Sequence, residues 1–208
     1  MIPLVNIIEK LPLLQSVIVC DNRLTDLSLT PLMLKLPSLP NLMHLDLSYN
    51  KIDKCSEYLM SYLRDEACRL QILVLDGADV DDVECTHIAE ALTMNQSLLS
   101  LSLKNNKIGT AELQNVATPN FVTGGEGLGR MLLKNESILE LDLSWNYIRL
   151  DSACAIAEAL IENNTLRVLR VAHNGFGDLG TQVIGMAIKQ NTRLQVLMTI
   201  PPLPKLEY

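Results

Sequence analysis

The chain has 208 residues, 48% of them hydrophobic but only 4% aromatic, and a formal net charge of −7. That length allows one sizeable core, built from aliphatic side chains. The acidic balance argues against nucleic-acid and anionic-membrane partners, which select basic surfaces, and favours a protein partner with a basic surface. Five cysteines, odd in number and without CxxC spacing, argue against a disulfide framework or zinc site and favour a reducing compartment. Residues 1–10 lack the order of a signal peptide, and no apolar run reaches the roughly 18–20 residues of a membrane span.

In chain order, LVNIIEKLPLLQ reads as the tail of a preceding repeat's helix. Residues 1–13 therefore form an edge, with Ile7, Ile8 and Leu11 expected to be exposed. Segments of the form Leu-x-x-Leu-x-Leu-x-x-Asn-x-Ile then begin at Leu14, Leu42, Leu70, Leu98, Ile138, Leu166 and Leu194, in steps of 28, 28, 28, 40, 28 and 28 residues. Their fourth and sixth positions alternate as strands do. Leu45 and Leu47, Leu73 and Leu75, Leu101 and Leu103, Leu141 and Leu143, and Leu169 and Val171 are predicted to point inward. The segment 27–40, LSLTPLMLKLPSLP, holds three prolines and is expected to be extended or short 3₁₀ rather than helical. Amphipathic helices are predicted over Val83–Met94, near Gly127–Leu133, and over Ser152–Ile161 and Leu179–Lys189.

The 40-residue step places an inserted loop at 109–125, on a rim where such insertions often bind partners; a neutral insertion is the competing reading. Gly125, Gly127 and Gly129 match a dinucleotide fingerprint only in part. They begin a repeat helix rather than follow a Rossmann strand, so nucleotide binding is set aside. A Pro-rich tail, 201–208, ends the array. Strand then helix at fixed period predicts one α/β solenoid over 1–208, of about seven repeats, with a curved parallel sheet on the concave face and helices on the convex face. The ends lack polar caps, which implies a fragment or a subunit whose ends dock on neighbouring subunits.

The units AEALTMNQSLLSLSLKNNKI and AEALIENNTLRVLRVAHNGF resemble the ribonuclease-inhibitor-like leucine-rich repeats over about residues 14–200. The resemblance implies a shared binding architecture, used by ribonuclease inhibitors, Nod-like receptors, Ran GTPase-activating proteins, tropomodulins and axonemal or cytoskeletal proteins. It also implies a structural, turn-bonding role for Asn22, Asn50, Asn106, Asn146 and Asn174. The third layer departs from it: Ala78 replaces the asparagine, and water, Asp76, Asp79 or Asp81 is expected to take over. The sequons at Asn95, Asn135 and Asn163 share one repeat position, which accounts for them without glycosylation.

Outward strand positions supply the candidate partner-binding residues: Asp46, Asp76, Lys104, Glu140, Asp142 and Arg170 on the concave face, and Tyr49, Trp145 and His173 at the strand exit. Acids outnumber bases there, and Trp145 is the single tryptophan. Rim aromatics act as interface anchors; for Trp145 the competing reading is packing under a neighbouring loop, and for the acids a solvated face. His44, His87 and His173 are scattered, and no catalytic or metal-ligand grouping is legible. The expectation is a non-enzymatic scaffold without cofactor, cytoplasmic, with a cytoskeletal or ciliary assembly implied by the resemblance. Two alternatives stand beside it. One is a GTPase-activating protein resembling the Ran regulator, with Arg23 contributing. The other is the ligand-sensing part of a Nod-like receptor.

Overall fold

A computed structural model describes residues 8, 10–52, 55–113 and 121–199. The expectations for Ile7, for the middle of the insertion and for the tail 201–208 lie outside them.

Each repeat contributes one three-residue strand: β1 (Ser16–Ile18), β2 (His44–Asp46), β3 (Ile72–Val74), β4 (Ser100–Ser102), β5 (Glu140–Asp142), β6 (Val168–Arg170) and β7 (Val196–Met198). They form one parallel sheet in sequence order. Equal positions of successive repeats pair, so Val17, Leu45, Leu73, Leu101, Leu141, Leu169 and Leu197 form one row. The predicted inward residues are all buried, at 0–1% exposure. At roughly 1.5–3 kcal/mol per buried aliphatic side chain, these rows are the main source of stability.

Helices return the chain behind the sheet: α1 (Asp26–Met33), α2 (Ser56–Arg64), α3 (Asp82–Leu92), α4 (Thr110–Leu113), α5 (Gly124–Leu132), α6 (Leu150–Glu162) and α7 (Gly177–Gln190). The arrangement is the α/β leucine-rich-repeat solenoid. Predicted helices match within a few residues at each end. Gly125, Gly127 and Gly129 do lie in α5, where they let helices close up: a Cβ on Gly125 would come within 2.0 Å of the Ser152 Cβ on α6.

Two expectations are corrected. Segment 27–40 is not extended: α1 runs through Pro31, followed by a 3₁₀ turn at Leu36–Ser38. Leu29, Leu32, Met33 and Leu36 recur at helical spacing and are all buried, so core packing overrides the proline. Pro31 removes the hydrogen bond to the Leu27 carbonyl, but Leu27 is 90% exposed and water can replace it. Ile8 is also not exposed; it is buried with the core, while Leu11 stays exposed.

The repeat asparagines bond backbone, as their position implied. Asn50 Oδ1 accepts from the Leu24 N–H (2.9 Å) of the previous layer, and its Nδ2 donates to the Val19 and Leu47 carbonyls. Asn106, Asn146 and Asn174 repeat the pattern. At Ala78 the ladder is broken. The Ile52 N–H instead reaches the Ala78 carbonyl at 3.4 Å. None of the three nearby aspartates substitutes, because each is engaged elsewhere. Asp76 bonds Ser102, Asp79 pairs with Lys107 at 3.0 Å, and Asp81 caps α3. The sequon asparagines Asn95, Asn135 and Asn163 are buried, each tying a helix end to the previous layer.

Candidate partner-binding face

The register that buries the leucines fixes what faces outward. Ile18, Asp46, Val74, Ser102, Asp142, Arg170 and Met198 form one row across the sheet, and Ser16, His44, Ile72, Ser100, Glu140, Val168 and Val196 another. Hydrogen bonding continues past the strands: the Tyr49, Gly77, Asn105 and Trp145 N–H groups donate to the carbonyls of Asp76, Lys104, Ser144 and Ala172.

The carboxylates are oriented by local bonds. Asp46 and Asp142 each accept from the N–H two residues on, Ser48 and Ser144, both at 2.9 Å. This turns both side chains toward the strand exit. Asp76 accepts from the Ser102 hydroxyl and the Lys104 N–H. Burial raises the Asp76 carboxyl above its ordinary range and nearby Asp142 adds to this, while those two hydrogen bonds oppose it. Arg170 pairs with Glu140 at 3.3 Å, so the one strand arginine among the candidates is already neutralised in place. Across the face, Ser16 Oγ lies 3.1 Å from His44 Nδ1, an inter-strand hydrogen bond on open sheet.

At the strand exit, the residue before the repeat asparagine is left-handed in six successive layers: Asp21 (φ 52°), Tyr49 (56°), Gly77 (58°), Asn105 (57°), Trp145 (60°) and His173 (56°). Asp, Gly and Asn tolerate this region. Tyr and Trp do not, at a cost of about 1–2 kcal/mol each. Both rings lean onto the next layer. The Tyr49 ring covers Gly77, where a Cβ would lie 2.6 Å from Cδ1. Trp145 stacks on His173 with centroids 3.7 Å apart and planes at 22°. Tyr49 and Trp145 nonetheless stay 50% and 49% exposed. Among the described residues, no loop covers Trp145.

The structure thus pairs Glu140 with Arg170 and Trp145 with His173, and brings Asp76 to the Lys104 backbone. It leaves Tyr49 three strand spacings from Trp145, about 14 Å. Sequence reading missed Asp82. This residue is 2% exposed and clasps both ends of the insertion. Its Oδ1 accepts from the Gly109 (2.9 Å) and Gly124 (2.7 Å) N–H groups, its Oδ2 from the Ala111 N–H (2.9 Å). An acid opening a helix with an N-cap Asp81 before it looks like ordinary capping; only the unusual step length pointed to that place.

Beside the Ala78 defect, a cavity of about 180 Å³ is lined by Lys51, Ile52, Ala78, Asp79, Asp81, Glu84 and Lys107. Burial and the hydrogen-bonded, like-charged Asp81 raise the Glu84 carboxyl to about 7. For Asp81 burial acts upward too, but hydrogen bonds from Glu84 and the Val83 and Glu84 N–H groups, with the Lys107 charge, hold it below its ordinary value. Among the described residues no group of three or more His, Cys, Asp or Glu is placed to hold a metal ion, and no helix is long and apolar enough to cross a membrane.

Comparison with known proteins agrees with the repeat geometry. The leucine-rich-repeat family matches residues 38–54, 95–111 and 162–185. The chain is 34% identical over 160 residues to mouse NACHT, LRR and PYD domains-containing protein 12, covering 75% of this chain and 14% of that protein. It is 30% identical over 125 residues to pig ribonuclease inhibitor, covering 51% of this chain and 27% of the inhibitor. It therefore spans only a minor part of the relatives it matches. The solved structure of leiomodin-1 actin-binding site 2 shares the fold, with a TM-score of 0.53 at 23% identity, covering 73% of this chain and 80% of that one. From the strand register, the asparagine ladder and these likenesses, the chain is a leucine-rich-repeat solenoid whose units are similar to those of ribonuclease inhibitor and of the NACHT proteins.

Proposed function

We propose that the chain is a non-enzymatic scaffold that grips a protein partner between its sheet face and its strand-exit rim. The observation that carries this is the rim itself: two aromatic residues held half-exposed in a backbone conformation that disfavours them. The acids Asp46, Asp76 and Asp142, with Arg170 already paired to Glu140, suit a partner with a basic surface. Seven strands at about 4.8 Å give a face roughly 30 Å long, enough for one helix or small domain. A cytoskeletal or ciliary assembly in the cytoplasm is the setting this reading favours, with the ends of the array docking on neighbouring subunits.

The test is proximity cross-linking from the sheet face in cells. Cross-linkers placed at Ser100 are expected to capture a discrete protein, and capture is expected to fail in Asp46→Lys/Asp142→Lys. Equal capture by that variant defeats the proposal. A second reading, the repeat portion of a Nod-like receptor, draws on the 34% identity to the mouse NACHT protein. It requires the endogenous polypeptide to carry a nucleotide-binding domain; immunoblotting with an antibody to this chain, followed by mass spectrometry of the band, decides that.

A further inference from the structure

The exit rim carries more than general stickiness. Three of its left-handed positions hold Asp21, Gly77 and Asn105, residue types that suit the conformation. Folding alone would favour the same choice in layer five. Instead the chain places its single tryptophan there, and the next layer supplies His173 as a stacking bed. The stack covers one side of the indole and holds it fixed, while half its surface remains in solvent. Three residues upstream, Asp142 is turned toward this same exit by the Ser144 N–H. The adjacent cation, Arg170, is taken by Glu140. The nearby Asp76 is engaged by Ser102 and the Lys104 N–H.

A stacked, half-open aromatic face three residues along the chain from an oriented carboxylate, both at one strand exit, is suited to a planar cation. We propose that Trp145, stacked on His173, and Asp142 form a subsite for an arginine side chain of a protein partner. The guanidinium lies over the indole and donates to the Asp142 carboxylate. Arginine is favoured over lysine because its flat, delocalised cation can stack and present a hydrogen-bond fork together, whereas an ammonium is a compact, strongly hydrated charge. This inference rests on the scaffold reading and names the chemistry of one contact within it.

The test uses the whole chain and hexa-arginine amide, with hexa-lysine and hexa-citrulline amides as controls, by calorimetry at physiological ionic strength. The arginine peptide is expected to bind several-fold more tightly than the lysine peptide, and the citrulline peptide not to bind. Trp145→Asn keeps a residue suited to left-handed backbone, so the fold is retained. It should weaken arginine-peptide binding by roughly two- to thirty-fold. Asp142→Asn should weaken it by roughly tenfold or more. In the wild type, the arginine peptide should also shift the emission of the single tryptophan.

Equal binding of arginine and lysine peptides, unchanged by either variant, overturns the subsite. Binding lost in Asp46→Asn but retained in Trp145→Asn also overturns it, while leaving the acidic sheet face as the docking surface. Failure of every basic peptide to bind overturns the subsite too; the scaffold reading is then judged on the cross-linking alone.

Discussion

Replacing Asp82 by alanine should cost about 3 kcal/mol and loosen the insertion at both ends. The side chain is 2% exposed and accepts three backbone hydrogen bonds, from Gly109, Ala111 and Gly124. Gly109 and Gly124 are buried. Each N–H left buried and unpaired costs about 1–3 kcal/mol, which brackets the loss between about 2 and 6. Water reaching the half-buried Ala111 N–H, and relaxation of the loop, place the expectation in the lower half of that range. Asp82→Asn keeps one acceptor oxygen but presents a donor to the Ala111 N–H, so it should cost about half as much. Urea denaturation gives the free energies. Hydrogen exchange gives the location: the amides of Gly109 and Gly124 should lose protection, while Leu45 and Leu73, in β2 and β3, should not. An Asp82→Ala variant within about 0.5 kcal/mol of wild type, with both glycine amides still protected, refutes the clasp.

Four further outcomes are expected. Leu101→Asp puts a charge at 0% exposure in the middle layer; cavity and desolvation together should exceed about 5 kcal/mol, seen as loss of the cooperative transition in circular dichroism, and a loss below about 2 kcal/mol contradicts the inward assignment. Ala78→Asn should restore the broken ladder and add about 1 kcal/mol, read as a higher Tm; a lower Tm counts against it. Gly77→Ala should cost about 1–2 kcal/mol, because the residue is left-handed and its new Cβ meets the Tyr49 ring. In a double-mutant cycle with Tyr49→Ala only the ring term should vanish, and full additivity would dismiss the contact. Glu84 has a raised folded value, so the native state binds more protons than the unfolded chain between pH 4.5 and about 7. Its contribution is present below pH 4.5 and is lost as pH rises toward 7. Allowing for screening of this half-buried pair, the loss is about 1 kcal/mol. Glu84→Gln should abolish that slope in melts between pH 5 and 8; an unchanged slope assigns it elsewhere.

What the sequence disclosed followed the strength of its periodicities. The aliphatic residues of positions four and six, recurring from layer to layer, report burial directly in the five middle layers, where each is covered by a neighbour on both sides; in the last layer Leu197, with no further layer beyond it, is 36% exposed. The repeat asparagines were legible for the same reason. Segment 27–40 was misread because proline is a local signal. Leu29, Leu32, Met33 and Leu36 together outweigh one lost hydrogen bond, and that sum is a tertiary quantity. Which group replaces the missing Asn at Ala78 was not legible, because three aspartates look available in sequence, while only the structure shows each of them engaged, by Ser102, by Lys107 and by the start of α3. Among the site residues, outward orientation was readable from strand alternation. The Glu140–Arg170 pair and the Trp145–His173 stack join residues 28 to 30 positions apart, visible only once the register aligns the layers.

The left-handed exit position links the two kinds of legibility. Its conformation is imposed by the ladder, since the N–H of that residue must reach the next layer's carbonyl while the chain turns toward the asparagine. The backbone there is therefore fixed whatever side chain occupies it. A residue that suits the position, such as Asp21, Gly77 or Asn105, adds stability and carries little further information. An aromatic residue there lowers stability slightly, and its ring is held by a backbone that cannot adjust. Such a side chain loses little further freedom on binding, which is the condition for a strong contact from a small area. The energetic exception, rather than the count of exposed aromatics, singles out Trp145 and Tyr49. It also predicts an asymmetry between them: Tyr49 lies over a glycine, which offers no ring to stack on, whereas Trp145 is stacked on His173 and has Asp142 three residues upstream at the same exit. Loss of Trp145 should therefore weaken partner binding more than loss of Tyr49, and the reverse order in matched Asn substitutions would remove the backing ring from the explanation.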